Sequence, residues 1–423
     1  MTTSLPEEVV QAIEFEKSQW ATGSVYEDPF YSVEGLDASA RPGALLKVEK
    51  TSDVSLYSIP AATTLSRFVY QSKTFSGSLV PVSAYVLWPS SPRTSPDGFQ
   101  VVAWAHGTSG ISAENAPSHT KNLWQHFLAP YQLVCQGYVV VATDYAGLGV
   151  SKTADGKSIV HEYLALPAHA NDVVYSVLAA QEAFPELSRS WVAVGHSQGG
   201  GATLAVAQRQ AKDHIPGYLG AVPISPVTRL MDEADPARTV VTSLMVPGIQ
   251  AAFPGFNADD ILTERGKEIL GSVRKYHLTL GASTPMLFTA DLMKSGWHNN
   301  SFLSTHQDTI QTGGKPVAGP LLIIHGQCDE LLSPDKLTSA VKKTAEMNTN
   351  ASIKYIQFEG ASHNGTLPAS QWMWMDWIAD RFKGVDQKKG LVCEVRKTAK
   401  SVDSYQRNLN WWLKHAKAYH ETP

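Results

Sequence analysis

Residues 191–204 read "WVAVGHSQGGGATL". Four mostly apolar residues lead into Gly195, a lone hydroxyl at Ser197 stands between His196 and Gln198, and three more glycines pass into an alanine-rich stretch. A short apolar run reads as a buried strand and the alanine-rich continuation as a helix. Gly195 to Gly199 fit G-x-S-x-G, which places a serine on a tight strand-to-helix turn at the rim of an α/β sheet. The glycines are needed because such a turn presses backbone against its neighbours, where a Cβ would collide. The free N–H groups of the helix N-terminus then face whatever the serine touches.

The same strand grammar recurs outward from this turn, in "FQVVAWAHGTSG" (99–110), "GYVVVATDYAGLG" (137–149), "GYLGAVPISP" (217–226) and "GPLLIIHGQCDELLSP" (319–334). Helical stretches over about 165–184 and from the serine turn to about Lys212 alternate with these strands. Apolar strands alternating with helices predict a mostly parallel sheet with helices on both faces, and the G-x-S-x-G turn at its rim is the pattern of the α/β-hydrolase architecture. Before it, residues 44–88 alternate as half-buried antiparallel strands, preceded by a helix over about 6–20. A final strand, "SIKYIQFEG" (352–360), precedes the Trp-rich helical stretch "SQWMWMDWIADRFKG" (370–384). The chain is thus divided into a core over 1–226 and 317–423 and a helical lid or cap inserted at 227–316. An N-terminal extension (1–43) and a C-terminal helical tail (385–423), helical around Trp411 and Trp412, belong to the core.

The 423 residues are 43% hydrophobic and 17% charged with a formal net charge of −4, so nothing in the charge favours nucleic acid or an anionic membrane. No stretch approaches the ~20 apolar residues that span a bilayer. The first twenty residues carry four glutamates and no apolar run of the secretory kind. Three cysteines, Cys135, Cys328 and Cys393, do not make a disulfide framework. The N-x-S/T sequons at Asn299, Asn350 and Asn364 are about as frequent as chance gives. These features lead us to expect a cytoplasmic protein. No H-E-x-x-H, Cys pair or G-x-G-x-x-G after a strand occurs, so no metal or cofactor is expected.

A serine hydroxyl is a weak nucleophile until a base takes its proton and an acid orients that base. In this architecture the order is serine, acid, base. Asp329 stands just past the strand "LLIIHG", and His363 lies in "FEGASHNGT", a polar loop directly after the last strand. Glu330 and Asp335 are read as helix-start residues rather than as the acid. Attack creates an oxyanion, and preorganised N–H donors are worth roughly 10²–10³ in rate each. One donor is assigned to the backbone of Gln198. The other falls in "AHGTSG" (105–110), on Thr108, with Ser109 next. His106 is read as fixing that loop. His106, Ser109, Asp144, Tyr145 and His196 are placed around the substrate, with Asp144 and Tyr145 on the floor or wall of the cleft. Met231, Leu244, Met245, Ile249, Phe253, Met286 and Phe288 of the insertion are expected to supply apolar surface.

The chain resembles the secretory lipase (lipase A) family. The resemblance rests on "DPFYSVEGL" (28–36), "RPGALLKVE" (41–49), "VVAWAHGTSG", "ENAPS" (114–118), "GYVVVATDYAGLG", "HEYL" (161–164), "GHSQGG" and "HGQCDELLSP", and it covers about residues 28 to 380. Asn115 stands where that family usually has a cysteine. The resemblance implies an α/β-hydrolase core, a helical lid before the acid-bearing strand, and a triad on Ser197, Asp329 and His363. The expected activity is hydrolysis of a small-molecule carboxylic ester. The alternative is acyl transfer, or lactone closing or opening, in a specialised biosynthetic pathway with the same triad.

Overall fold

The computed structural model describes residues 5–124, 128–231 and 235–406. Its strands are β1 (Leu45–Glu49), β2 (Thr63–Lys73), β3 (Leu79–Pro89), β4 (Thr94–Ser95), β5 (Gly98–Ala105), β6 (Val139–Thr143), β7 (Leu187–His196), β8 (Tyr218–Ile224), β9 (Leu321–Gly326), β10 (Ser352–Phe358) and β11 (Gly390–Arg396). They form one sheet in the order β1-β2-β3-β6-β5-β7-β8-β9-β10-β11, with the two-residue β4 paired to β5. β1, β2, β3 and β6 pair antiparallel in turn. From β6 onward every neighbour along that order is parallel.

Alternation along β5 sorts the two faces. Val101, Ala103 and Ala105 enter one apolar cluster, and Val102 and Trp104 enter another. The helices are α1 (Glu7–Ser18), α2 (Pro130–Cys135), α3 (Leu166–Ala183), α4 (Gln198–Lys212), α5 (Pro236–Ala252), α6 (Glu264–Lys275), α7 (Leu280–Leu287), α8 (Ser301–Ile310), α9 (Pro334–Met347) and α10 (Thr366–Phe382). Residues of α3, α4 and α9 bury on the Ala103 face; residues of α2 and α10, including Trp374 and Trp377, bury on the Trp104 face. Both faces of the central strands are covered, which is why those strands read as unbroken apolar runs.

α5 to α8 lie between β8 and β9. Their buried residues, such as Val240, Met245, Ile269 and Leu303, belong to the same apolar cluster as the Ala103 face. Ahead of the sheet, the "DPFY" segment wraps onto Arg67. Asp28 caps its own turn at Phe30 N and receives Arg67 at 2.9 Å, while the guanidinium lies 4.1 Å over the Phe30 ring.

The C-terminal region departs from expectation. Residues 390–396, assigned to a helical tail, form β11 and pair parallel with β10 from Ser352↔Gly390 to Phe358↔Arg396. No residue of β11 is fully buried, and among the described residues it pairs on one side only, as fits an edge strand. Trp411 and Trp412 lie outside the described residues.

Candidate active site

The turn between β7 and α4 holds Ser197 at φ 57°, ψ −117°, a backbone geometry that costs of order 1–3 kcal/mol in a non-glycine residue. Its surroundings hold it there. The Ser197 N–H donates to the Ile224 carbonyl at 3.0 Å, and its own carbonyl accepts from Gly201 N at 3.0 Å. A Cβ on Gly195 would stand 2.3 Å from the Gly199 carbonyl oxygen, and one on Gly199 would stand 1.8 Å from that of Ala105. Only glycine fits at either side of the serine.

Asp329 sits three residues beyond β9 with its side chain fully enclosed. One carboxylate oxygen accepts from the backbone of Leu331 at 2.9 Å and Leu332 at 2.8 Å. The other lies 2.8 Å from His363 Nδ1. Burial works against its charge, yet the hydrogen bond from His363 and the surrounding donors outweigh burial and hold the acid at about 2. An ionised carboxylate only accepts, so His363 Nδ1 carries the hydrogen and Nε2 is left with its lone pair.

His363 is fixed at three further points. Its backbone N–H donates to the Glu330 carboxylate at 3.0 Å. Its carbonyl accepts from His196 Nε2 at 3.1 Å and from Ser225 Oγ at 3.3 Å. Its ring leans on that of His196 with centroids 4.7 Å apart. Burial, then the proximity of His363, push His196 down to about 3, so His196 stays neutral beside the second imidazole. Glu330 therefore anchors the His363 loop instead of starting a helix. Asp335 does lie in the first turn of α9.

Ser197 and His363 open onto one cavity of about 270 Å³, with Thr108, Tyr163, His196, Arg238, Thr284 and Asn364 as its further polar lining. The rest of the wall is largely apolar: Val227, Leu230, Val240, Val241, Leu280 and Phe288 come from the insertion. α7 is tied to the loop after β5, because Leu280 N donates to Ser109 O at 2.9 Å and Asn115 Nδ2 to His277 O at 2.9 Å. Asn115 thus holds by hydrogen bonding the loop position where a cysteine was expected.

The structure brings together Ser197, Asp329, His363, His196 and Thr108, and corrects four substrate contacts. Asp144 is fully buried, accepting from Ser118 N at 2.8 Å and from the hydroxyls of Ser118 and Ser83 at 2.5 and 2.6 Å. Tyr145 is also fully buried and donates to His106 O at 3.1 Å. His106 is enclosed beneath the loop, its Nδ1 2.7 Å from Gly107 O, and Ser109 is buried against α7. None of the four lines the cavity; each braces the loops that do. In the insertion, Phe288 lines the wall as expected, whereas Met231, Leu244, Met245, Ile249 and Met286 are buried in packing and Phe253 is partly buried against it.

Sequence reasoning missed Tyr163, His169 and the role of Glu330. Tyr163 Oη is 2.8 Å from Thr108 Oγ1, and Gln198 Nε2 lies 3.1 Å from His169 Nε2. His161 and Tyr163 entered only through "HEYL", and no spacing links His169 to the serine turn.

A family model described as serine aminopeptidase, S33 (Hydrolase_4) matches residues 122–366, more than half of the chain. The chain belongs to that α/β-hydrolase family. The α/β-hydrolase fold extends beyond the matched residues. Lipase A of Candida antarctica in its closed state superposes with a TM-score of 0.70 at 17% identity, over 87% of this chain and 88% of that one. The rice cell wall degrading esterase LipA of Xanthomonas oryzae superposes with a TM-score of 0.61 at 18% identity, over 81% and 98%. No curated protein matches the chain in sequence. Among the described residues of this α/β-hydrolase, no helix is long and apolar enough to cross a membrane.

Proposed function

We propose that the protein is a carboxylic-ester hydrolase that forms an acyl-enzyme on Ser197. The observation that carries this reading is the 2.8 Å bond between His363 Nδ1 and the buried, ionised Asp329, with His363 and Ser197 on one cavity. His363 Nε2 takes the Ser197 proton as Oγ attacks the ester carbonyl, then returns it to the departing alcohol. The backbone N–H of Gln198, in the first turn of α4 where no intrahelical acceptor exists, and that of Thr108 receive the oxyanion. Water, activated by the same imidazole, releases the acid. The apolar wall, with α5 and α7 as a cap over the serine, receives the acyl chain. Ester chemistry agrees with the similarity in fold to a lipase, Candida antarctica lipase A, and to an esterase, Xanthomonas oryzae LipA.

The enclosure of His363, 3% exposed, also suits a second reading in which a substrate hydroxyl replaces water as acyl acceptor. Either reaction predicts hydrolysis of p-nitrophenyl esters of short to medium chain length, and near-complete loss in Ser197→Ala. Activity that survives Ser197→Ala sinks both. Rapid acylation with slow turnover, relieved by an added alcohol, selects transfer over hydrolysis.

A further inference from the structure

The segment that precedes α3 touches both sides of the oxyanion site without entering the proton chemistry. His161 Nδ1 lies 2.8 Å from the Ala146 carbonyl. A carbonyl only accepts, so Nδ1 carries the hydrogen and Nε2 is an acceptor. That Nε2 is 3.4 Å from the side-chain nitrogen of Gln198, and His169 Nε2 is 3.1 Å from the same atom. The amide nitrogen has two hydrogens, one for each imidazole. Burial pushes His161 down to about 4 and His169 well below the ordinary imidazole value, so both remain acceptors at neutral pH.

These rings form one packed stack. His161 stacks on His169 with centroids 5.3 Å apart, Tyr145 lies 4.5 Å from His169, and His106 lies 4.4 Å beyond Tyr145. Two residues after His161, the Tyr163 hydroxyl stands 2.8 Å from Thr108 Oγ1. The backbone between is set by close contact and an unusual torsion. A Cβ on Gly147 would lie 2.5 Å from His161 N, and Leu164 is left-handed at φ 59°.

We infer that His161 and Tyr163 are positioning residues that hold the two oxyanion donors at a fixed separation from one rigid segment, His161 with His169 through the Gln198 side chain and Tyr163 through the Thr108 hydroxyl. The inference rests on the oxyanion assignment made under the proposed function. A donor is effective only within about 0.2 Å of its hydrogen-bonding distance to the oxyanion. A severed tether leaves the donor in place and lets it wander, which lowers transition-state binding more than substrate binding.

The test uses Tyr163→Phe, Thr108→Val, their double variant, His161→Gln and His161→Phe in the full chain. Each is read for kcat and KM with p-nitrophenyl butyrate, for inhibition by a trifluoromethyl ketone that forms the oxyanion adduct, and for Tm. Tyr163→Phe is expected to lose about tenfold or more in kcat with KM within twofold, and ketone affinity is expected to fall in step. Thr108→Val and the double variant should match it, because one tether is cut in all three. Glutamine at 161 can still accept from Gln198 and donate to Ala146, so His161→Gln should retain kcat where His161→Phe loses it. The inference is overturned if Tyr163→Phe keeps its kcat, if the losses in the double variant multiply, or if activity falls only as far as Tm falls. Ser197→Ala separates the two levels. If it is inert while Tyr163→Phe is unaffected, only the positioning role fails; if it is active, the ester-hydrolase reading fails with it.

Discussion

Asp329 shows how one side chain does two jobs. Its first oxygen closes the turn at Leu331 and Leu332, and its second faces His363. Asp329→Asn keeps the turn acceptor but puts an uncharged group against Nδ1. We expect kcat to fall roughly 10⁴-fold while the fold persists, checked by steady-state kinetics beside circular dichroism. The stability arm has a defined sign. A carboxyl held at about 2 against an ordinary 3.8 stabilises the fold above pH ~4 and loses that contribution as pH falls through about 2. Wild type should therefore lose more Tm than Asp329→Asn between pH 5 and pH 2.5. Ser197, Asp329 and His363 were legible in the sequence because each follows a recognisable strand. Glu330 and Tyr163 were not, because their partners lie 33 and 55 positions away and no local pattern encodes such contacts.

At the scale of elements, the serine turn exists because β7, α4 and β5 approach closer than a methyl group allows. Gly199→Ala places a Cβ 1.8 Å from the Ala105 carbonyl. Because backbone cannot swing aside, destabilisation at or above the upper end of the ~1–3 kcal/mol overpacking range is expected, measured by urea unfolding. A second contact joins α1 to α7, where Glu16 is hydrogen-bonded to the hydroxyl of Thr279, the N-cap of α7. Burial raises Glu16 to about 7, against the lowering effect of Thr279. An acid whose folded value exceeds its unfolded one binds its proton more tightly when folded, so stability falls as pH climbs from about 4.5 to about 7. Glutamine keeps the acceptor without the charge. Glu16→Gln should match wild type in Tm near pH 4 and exceed it by roughly 2 °C at pH 8; a constant difference across pH would refute the linkage. The sequence predicted α1 from its pattern, but nothing in it announced that α1 meets a helix some 260 positions later.

For the whole molecule, the cavity is closed by joining the core's serine rim to the inserted helices, so its size is set by elements that meet only in the finished fold. Leu230→Ala widens the wall at a residue that is 5% exposed. The expected result is a shift of p-nitrophenyl ester preference toward longer chains, at a stability cost of about 2–5 kcal/mol; an unchanged profile would remove Leu230 from the acyl site. By itself the sequence determined the strand and helix succession, the parallel core, the serine turn and the order of the three candidate residues. These are written in local periodicity, in glycines flanking a hydroxyl and in polar loops after apolar runs. Tertiary structure alone decided that residues 390–396 extend the sheet, that Asp144 and Tyr145 are buried behind the cleft, and that His161 and Tyr163 reach the side chains of Gln198 and Thr108. Edge pairing, burial depth and ring stacking depend on which distant segment arrives alongside, and single-chain periodicity carries no record of that arrival.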